Sequence, residues 1–137
     1  LQDHTDKDAL LLKLITAQIQ LGDPNAQQNL GLMKERIDVW KIREENAHMR
    51  EQATYALLAN QINPALQSAR ENWQQQRETA DIVIYATAAI KAGSKKDIEL
   101  LRQFMTDTQF EYPALERDLR LGKISSSSKQ VSKETPS

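Results

Sequence analysis

The chain has 137 residues, about 39% apolar and 27% charged, which suits one globular domain of ordinary size. Its net charge of -1 supplies no long-range field to gather nucleic acid or anionic lipid, and aromatics at 5% are too sparse for a row of base-stacking platforms. With no cysteine, disulfides, thiol nucleophiles and cysteine-based metal sites are excluded.

The chain opens on LQDHTDKD, where Asp3, His4, Asp6 and Asp8 offer metal-ligand chemistry on paper. A metal site needs ligands fixed by supporting contacts, and a chain end reads better as an acidic helix start capped by Thr5 or Asp6. Leu1 in place of an initiator methionine, with no apolar leader, fits a processed mature chain. The apolar run Ala9 to Leu12 is far too short to cross a bilayer.

A first helix is predicted over residues 7–21, with Leu10, Leu11, Leu14, Ile15, Gln18 and Ile19 at helical spacing and Gly22 as its stop. Asp23-Pro24 restarts the chain, and Leu30, Met33, Ile37 and Trp40 mark one face of a second helix. A break is expected near residues 43–46, then a third helix over 47–59 ended by Asn60. A fourth, from Asn63-Pro64 to about Gln76, turns Leu66, Ala69 and Trp73 inward. Thr79 or Asp81 opens a fifth that stops at Gly93. A sixth covers 96–105, a short last helix covers 112–121, and 123–137 is a polar tail.

A shift of 33 residues aligns Ala53-Thr54 with Ala86-Thr87, Ala56 with Ala89, Leu57 with Ile90, Asn60 with Gly93 and Ala65 with Ile98. Small residues recur where antiparallel helices of a hairpin cross closely, and large ones recur where grooves are filled. The unit is helix, stop, helix, and it resembles the tetratricopeptide repeat. Ala53 and Ala65 match the small positions of that hairpin in one copy, Ala86 and Ile98 in the next. Ile98 departs by its bulk, and Thr79 stands where proline is common. The block ARENWQQQRETADIVIYATAAIKAG, preceded by HMREQATYALL, is also similar to exported bacterial proteins with degenerate repeats of this kind.

The expected fold is therefore all-α, a right-handed stack of antiparallel helical hairpins with six to seven helices. Approximate repeats fall at 8–43, 47–78 and 80–110 within a domain spanning 1–122. The resemblance implies a non-catalytic scaffold that binds a peptide or partner protein on its concave face. There the groove positions would be Arg50, Thr54, Leu58, Val83, Thr87 and Lys91. It also implies export, with a periplasmic address preferred to a cytoplasmic one. No cofactor, metal or nucleic acid is called for.

Two other readings stand beside it. A first helix as apolar as ALLLKLI leaves a sticky face, so the chain is expected to form a homodimer through that helix or to end a longer solenoid. His48 lies four residues from Glu44, within reach on a helix, so a carboxylate-oriented general base is a further option. A surface ion-pair cluster explains that pair more simply. Trp73, on the inward stripe, reads as a plug between helices before it reads as a ligand platform.

Overall fold

The computed structural model describes residues 2–42 and 48–124, and of residues 2–6 the backbone alone. Within them lie seven helices and no strand: α1 (Gln2–Leu21), α2 (Asn25–Ile42), α3 (Met49–Leu58), α4 (Ile62–Trp73), α5 (Thr79–Ala92), α6 (Lys95–Thr108) and α7 (Pro113–Leu121). Successive helices pair as the hairpins α1–α2, α3–α4 and α5–α6. The first helices of the hairpins also stack, α1 on α3, α3 on α5, and α5 on α7. This is a stack of helical hairpins. The expected break near residues 43–46 lies outside the described residues.

The 33-residue register has a hydrogen-bonded basis. At the end of α3, Asn60 takes a left-handed φ of 61°, its N–H donating to Leu57 O and that of Gln61 to Ala56 O. At the end of α5, Gly93 takes a φ of 67°, its N–H donating to Ile90 O and that of Ser94 to Ala89 O. The same pair of bonds closes α1 at Gly22 and Asp23, so each hairpin turns on one kind of helix stop that satisfies carbonyls the helix leaves open. Asparagine serves at position 60 because it tolerates the left-handed region better than most side chains.

Above those stops, Ala53 and Ala86 are fully buried, as are Ala65 and Ala89. The helices approach one another over these methyl groups. Ile98, aligned with Ala65, is only half-buried at the edge of the core, so its bulk is accommodated outward. Ala86→Leu is expected to lower stability by about 1–3 kcal/mol through overpacking, read as a fall in the urea midpoint. An unchanged midpoint would remove the close-approach role of that alanine.

The core is in two parts. One is built by α3 to α7 around Leu66, Trp73, Ile82, Tyr85, Leu101 and Leu119. The other joins α1, α2 and α3 through Leu12, Ile15, Met33, Ile37, Trp40 and Tyr55. Helix α3 serves both, with Ala53 and Ala56 facing one cluster and Tyr55 the other.

Three boundaries and the buried stripe of α1 differ from the sequence reading. Helix α1 begins at Gln2, ahead of the Thr5 or Asp6 cap expected from composition. Its buried stripe is Asp8, Leu12 and Ile15, which leaves Leu10, Leu14 and Ile19 outside. Helix α4 stops at Trp73 rather than near Gln76, and the Arg77 Nε–H donates to the Trp73 carbonyl at 3.0 Å. Helix α6 continues past Met105 to Thr108, because Gln109 adopts a φ of 55° and provides the stop. Glutamine is an unusual residue there, which hides the signal.

Candidate partner-binding face

Helices α3 and α5 lie side by side in the stack, so their corresponding positions form the face on which the sequence places its groove. Thr54 and Thr87 occupy equivalent places, and each hydroxyl donates to the carbonyl four residues back: Thr54 Oγ1 to Arg50 O at 2.9 Å, Thr87 Oγ1 to Val83 O at 2.7 Å. Their donors are therefore used internally, and what they present is methyl surface and an acceptor oxygen. Val83 is half-buried, and Lys91 is exposed. Leu58 is drawn toward the first hairpin, where it lines an open cleft of about 380 Å³ with Leu30, Gly31, Tyr55, Ala59 and Asn60.

Arg50 has a different task. Its guanidinium forms a fork on Asp81, Nε to Oδ1 and Nη2 to Oδ2, both 2.7 Å, and Nη2 reaches Glu78 at 2.9 Å. Asn72 Nδ2 donates to the same carboxylate at 2.7 Å, and the Glu78 backbone N–H donates to it at 2.9 Å. Burial opposes ionisation of Asp81, but these donors outweigh it and hold the carboxyl below its usual range. Arg50 in turn is held above its ordinary value, chiefly by the hydrogen bond to Asp81. The bridge ties α3 and α4 to the start of α5.

A second clamp repeats the design one helix later. Arg70 on α4 donates to Asp97 on α6, with Nη2 at 2.6 Å and Nε at 3.2 Å from both carboxylate oxygens. The Tyr85 hydroxyl and the Ser94 hydroxyl donate to that carboxylate as well. Asp81 and Asp97 each sit in the first turn of their helices, where the helix dipole favours negative charge. A third pair, Arg36 with the buried Asp8, joins α2 to α1. The sequence reading missed all three pairs, because partners 27 to 31 residues apart leave no local motif. For Asp81 and Asp97 the recoverable signal is an aspartate at the third position of a helix whose other inward positions are mostly apolar.

The remaining candidates fall elsewhere. Trp73 is 3% exposed, tilted against Tyr85 with ring centroids 5.4 Å apart and edge-on to Phe104 at 4.9 Å, with the Arg77 guanidinium 4.7 Å from its ring centre. It seals the junction between α4, α5 and α6. His48 stacks on Trp40 at 4.2 Å between ring centroids, with a left-handed φ of 66° immediately before α3. Glu44, its suggested orienting carboxylate, lies outside the described residues. Among the described residues no group of three or more acidic or histidine side chains is arranged to hold a metal ion. None of their helices is long and apolar enough to cross a membrane.

Stacked hairpins with a shared helix stop and aligned small residues define a helical-repeat protein. Comparison with protein-family models, with curated proteins and with solved structures returns no match.

Proposed function

We propose that the chain is a non-catalytic helical-repeat scaffold that binds a peptide or partner protein on the face shared by α3 and α5. The supporting observation is the 33-residue correspondence of Thr54 with Thr87 on neighbouring helices. It presents a regular strip of small, half-buried side chains flanked by the exposed Lys91. Such strips suit an extended or helical segment laid across successive repeats. Arg50 serves this face indirectly: it locks α3 to α5, and the strip keeps its register through that lock. The kinship to tetratricopeptide repeats, supported by the small hairpin positions Ala53, Ala65 and Ala86, and an exported, periplasmic location in a bacterium, supported by the resemblance of the Ala69–Gly93 block, belong to the same proposal. Cell fractionation of the native host tests the location.

The test of binding is selection from a random peptide library displayed on phage. Selected peptides are expected to lose at least about tenfold in affinity against a Thr87→Arg, Lys91→Glu double variant, a loss of about 1.4 kcal/mol or more. The circular dichroism should be unchanged. Binders indifferent to both substitutions, or no selectable binder, would sink the proposal. Self-association is favoured by a separate observation, the apolar side chains that α1 and α2 leave in water.

A further inference from the structure

Eleven large apolar side chains are exposed among the described residues, and seven of them belong to the first hairpin: Leu10, Leu14, Ile19 and Leu21 on α1, Leu32, Val39 and Ile42 on α2. Scattered exposed leucines are ordinary, but most of these fall on two seams. On α1, Leu10, Leu14, Ala17 and Leu21 follow four-, three- and four-residue steps, the spacing of a helix–helix seam. Leu10 is 63% exposed and Leu21 83%. On α2, Leu32, Glu35, Val39 and Ile42 follow three, four and three, with Ile42 80% exposed and Glu35 set among the apolar residues. Both seams lie on the sides of their helices opposite the buried stripes of Leu12 and Ile15 and of Leu30, Met33 and Ile37.

The stack shows what such a face is for. Helix α3 is covered on one side by α1 and on the other by α5, and α5 lies between α3 and α7. Helix α1 has α3 on one side and, among the described residues, no helix on the other. Charge decides how that side is filled. The α1 seam is flanked by Lys7 and Lys13, both exposed, whereas the α2 seam carries Glu35, also exposed. Pairing α1 with its own copy would set lysines against lysines, and pairing α2 with its own copy would set two Glu35 carboxylates into an apolar seam. Pairing α1 with α2 of another copy sets Lys7 and Lys13 beside Glu35.

We infer that two copies of this chain join through their first hairpins, the α1 seam of each packing on the α2 seam of the other. The result is a four-helix layer continuous with both stacks. The arrangement is two-fold, so every contact occurs twice and each substitution acts on both halves. It leaves the α3–α5 face free, so the two proposals stand or fall separately.

Sedimentation velocity at micromolar concentration tests the inference. The wild-type chain is expected to sediment as a dimer. Leu14→Glu should weaken the dimer at least about tenfold, since an apolar contact is lost twice. The far-UV circular dichroism should be retained, because Leu14 takes no part in the buried core. Glu35→Lys alone and the Lys7→Glu, Lys13→Glu pair should each weaken the dimer as well. The three substitutions together, with the charges exchanged, should restore it. A monomeric wild type overturns the inference, as does a dimer indifferent to Leu14→Glu. Failure of the exchanged charges to restore the dimer overturns the pairing of α1 with α2. In each case the peptide-binding measurement on the α3–α5 face is unaffected.

Discussion

Trp73→Ala is expected to lower the free energy of unfolding by about 3–5 kcal/mol, a large share of what a domain of this size possesses. The indole is almost completely buried, and three helices meet on it. Its removal takes away the surface against which Tyr85 and Phe104 pack, and strands the Arg77 guanidinium above a void. Collapse cannot fill that void cheaply, because Ala69 and Ala86 of the same core are small and already buried. Trp73→Phe should cost less, about 1–2 kcal/mol, since an aromatic face remains. Urea denaturation followed by far-UV circular dichroism measures both. A loss under about 1 kcal/mol for the alanine variant would mean that the indole does not carry the junction.

The hairpin stack was legible in the sequence because its causes are local. Gly22, Asn60 and Gly93 end helices wherever they occur with a left-handed backbone, and alanines at a 33-residue spacing mark helix crossings. The inward stripes of α2 and α4, from Leu30 to Trp40 and from Leu66 to Trp73, follow from periodicity in the same way. Helix α1 was harder, because ALLLKLI is apolar almost all round and periodicity has no contrast to work with. Leu12 and Ile15 share their inward face with Asp8, which pairs with Arg36. Arg50 shows the same limit at the proposed binding face. Its position on α3 follows from the register, but its engagement by Asp81 depends on a residue 31 positions away. Long-range charge pairing has no period, and a single sequence does not display it.

Asp97→Ala should be the most damaging polar substitution, at about 2–4 kcal/mol. Arg70 is partly exposed and can turn its guanidinium to water, which keeps the loss below that of an enclosed ion pair. The Tyr85 hydroxyl has no such escape, since its ring is buried between α4 and α6. The same carboxylate makes stability depend on pH. Burial would raise the pKa of Asp97, but the hydrogen bonds from Arg70, Ser94 and Tyr85 prevail and bring it from 3.8 down to about 2. The unfolded chain therefore binds the proton more readily than the folded one between those values. The stabilisation is complete above about pH 4 and is lost as the pH falls toward 2. Its size is about 1–2 kcal/mol once solvent around Arg70 is allowed for. Asp81 is depressed in the same direction, so the wild type loses stability in acid through two clamps. In Asp97→Asn the Asp81 part persists and the Asp97 part is gone. Urea midpoints of the two proteins, measured from neutral pH to pH 2, are expected to differ most near neutrality and to draw together in acid. Parallel curves across that window would show that the Asp97 carboxylate is not held by Arg70 in solution. The clamp would then be a contact without a share in the stability of the stack.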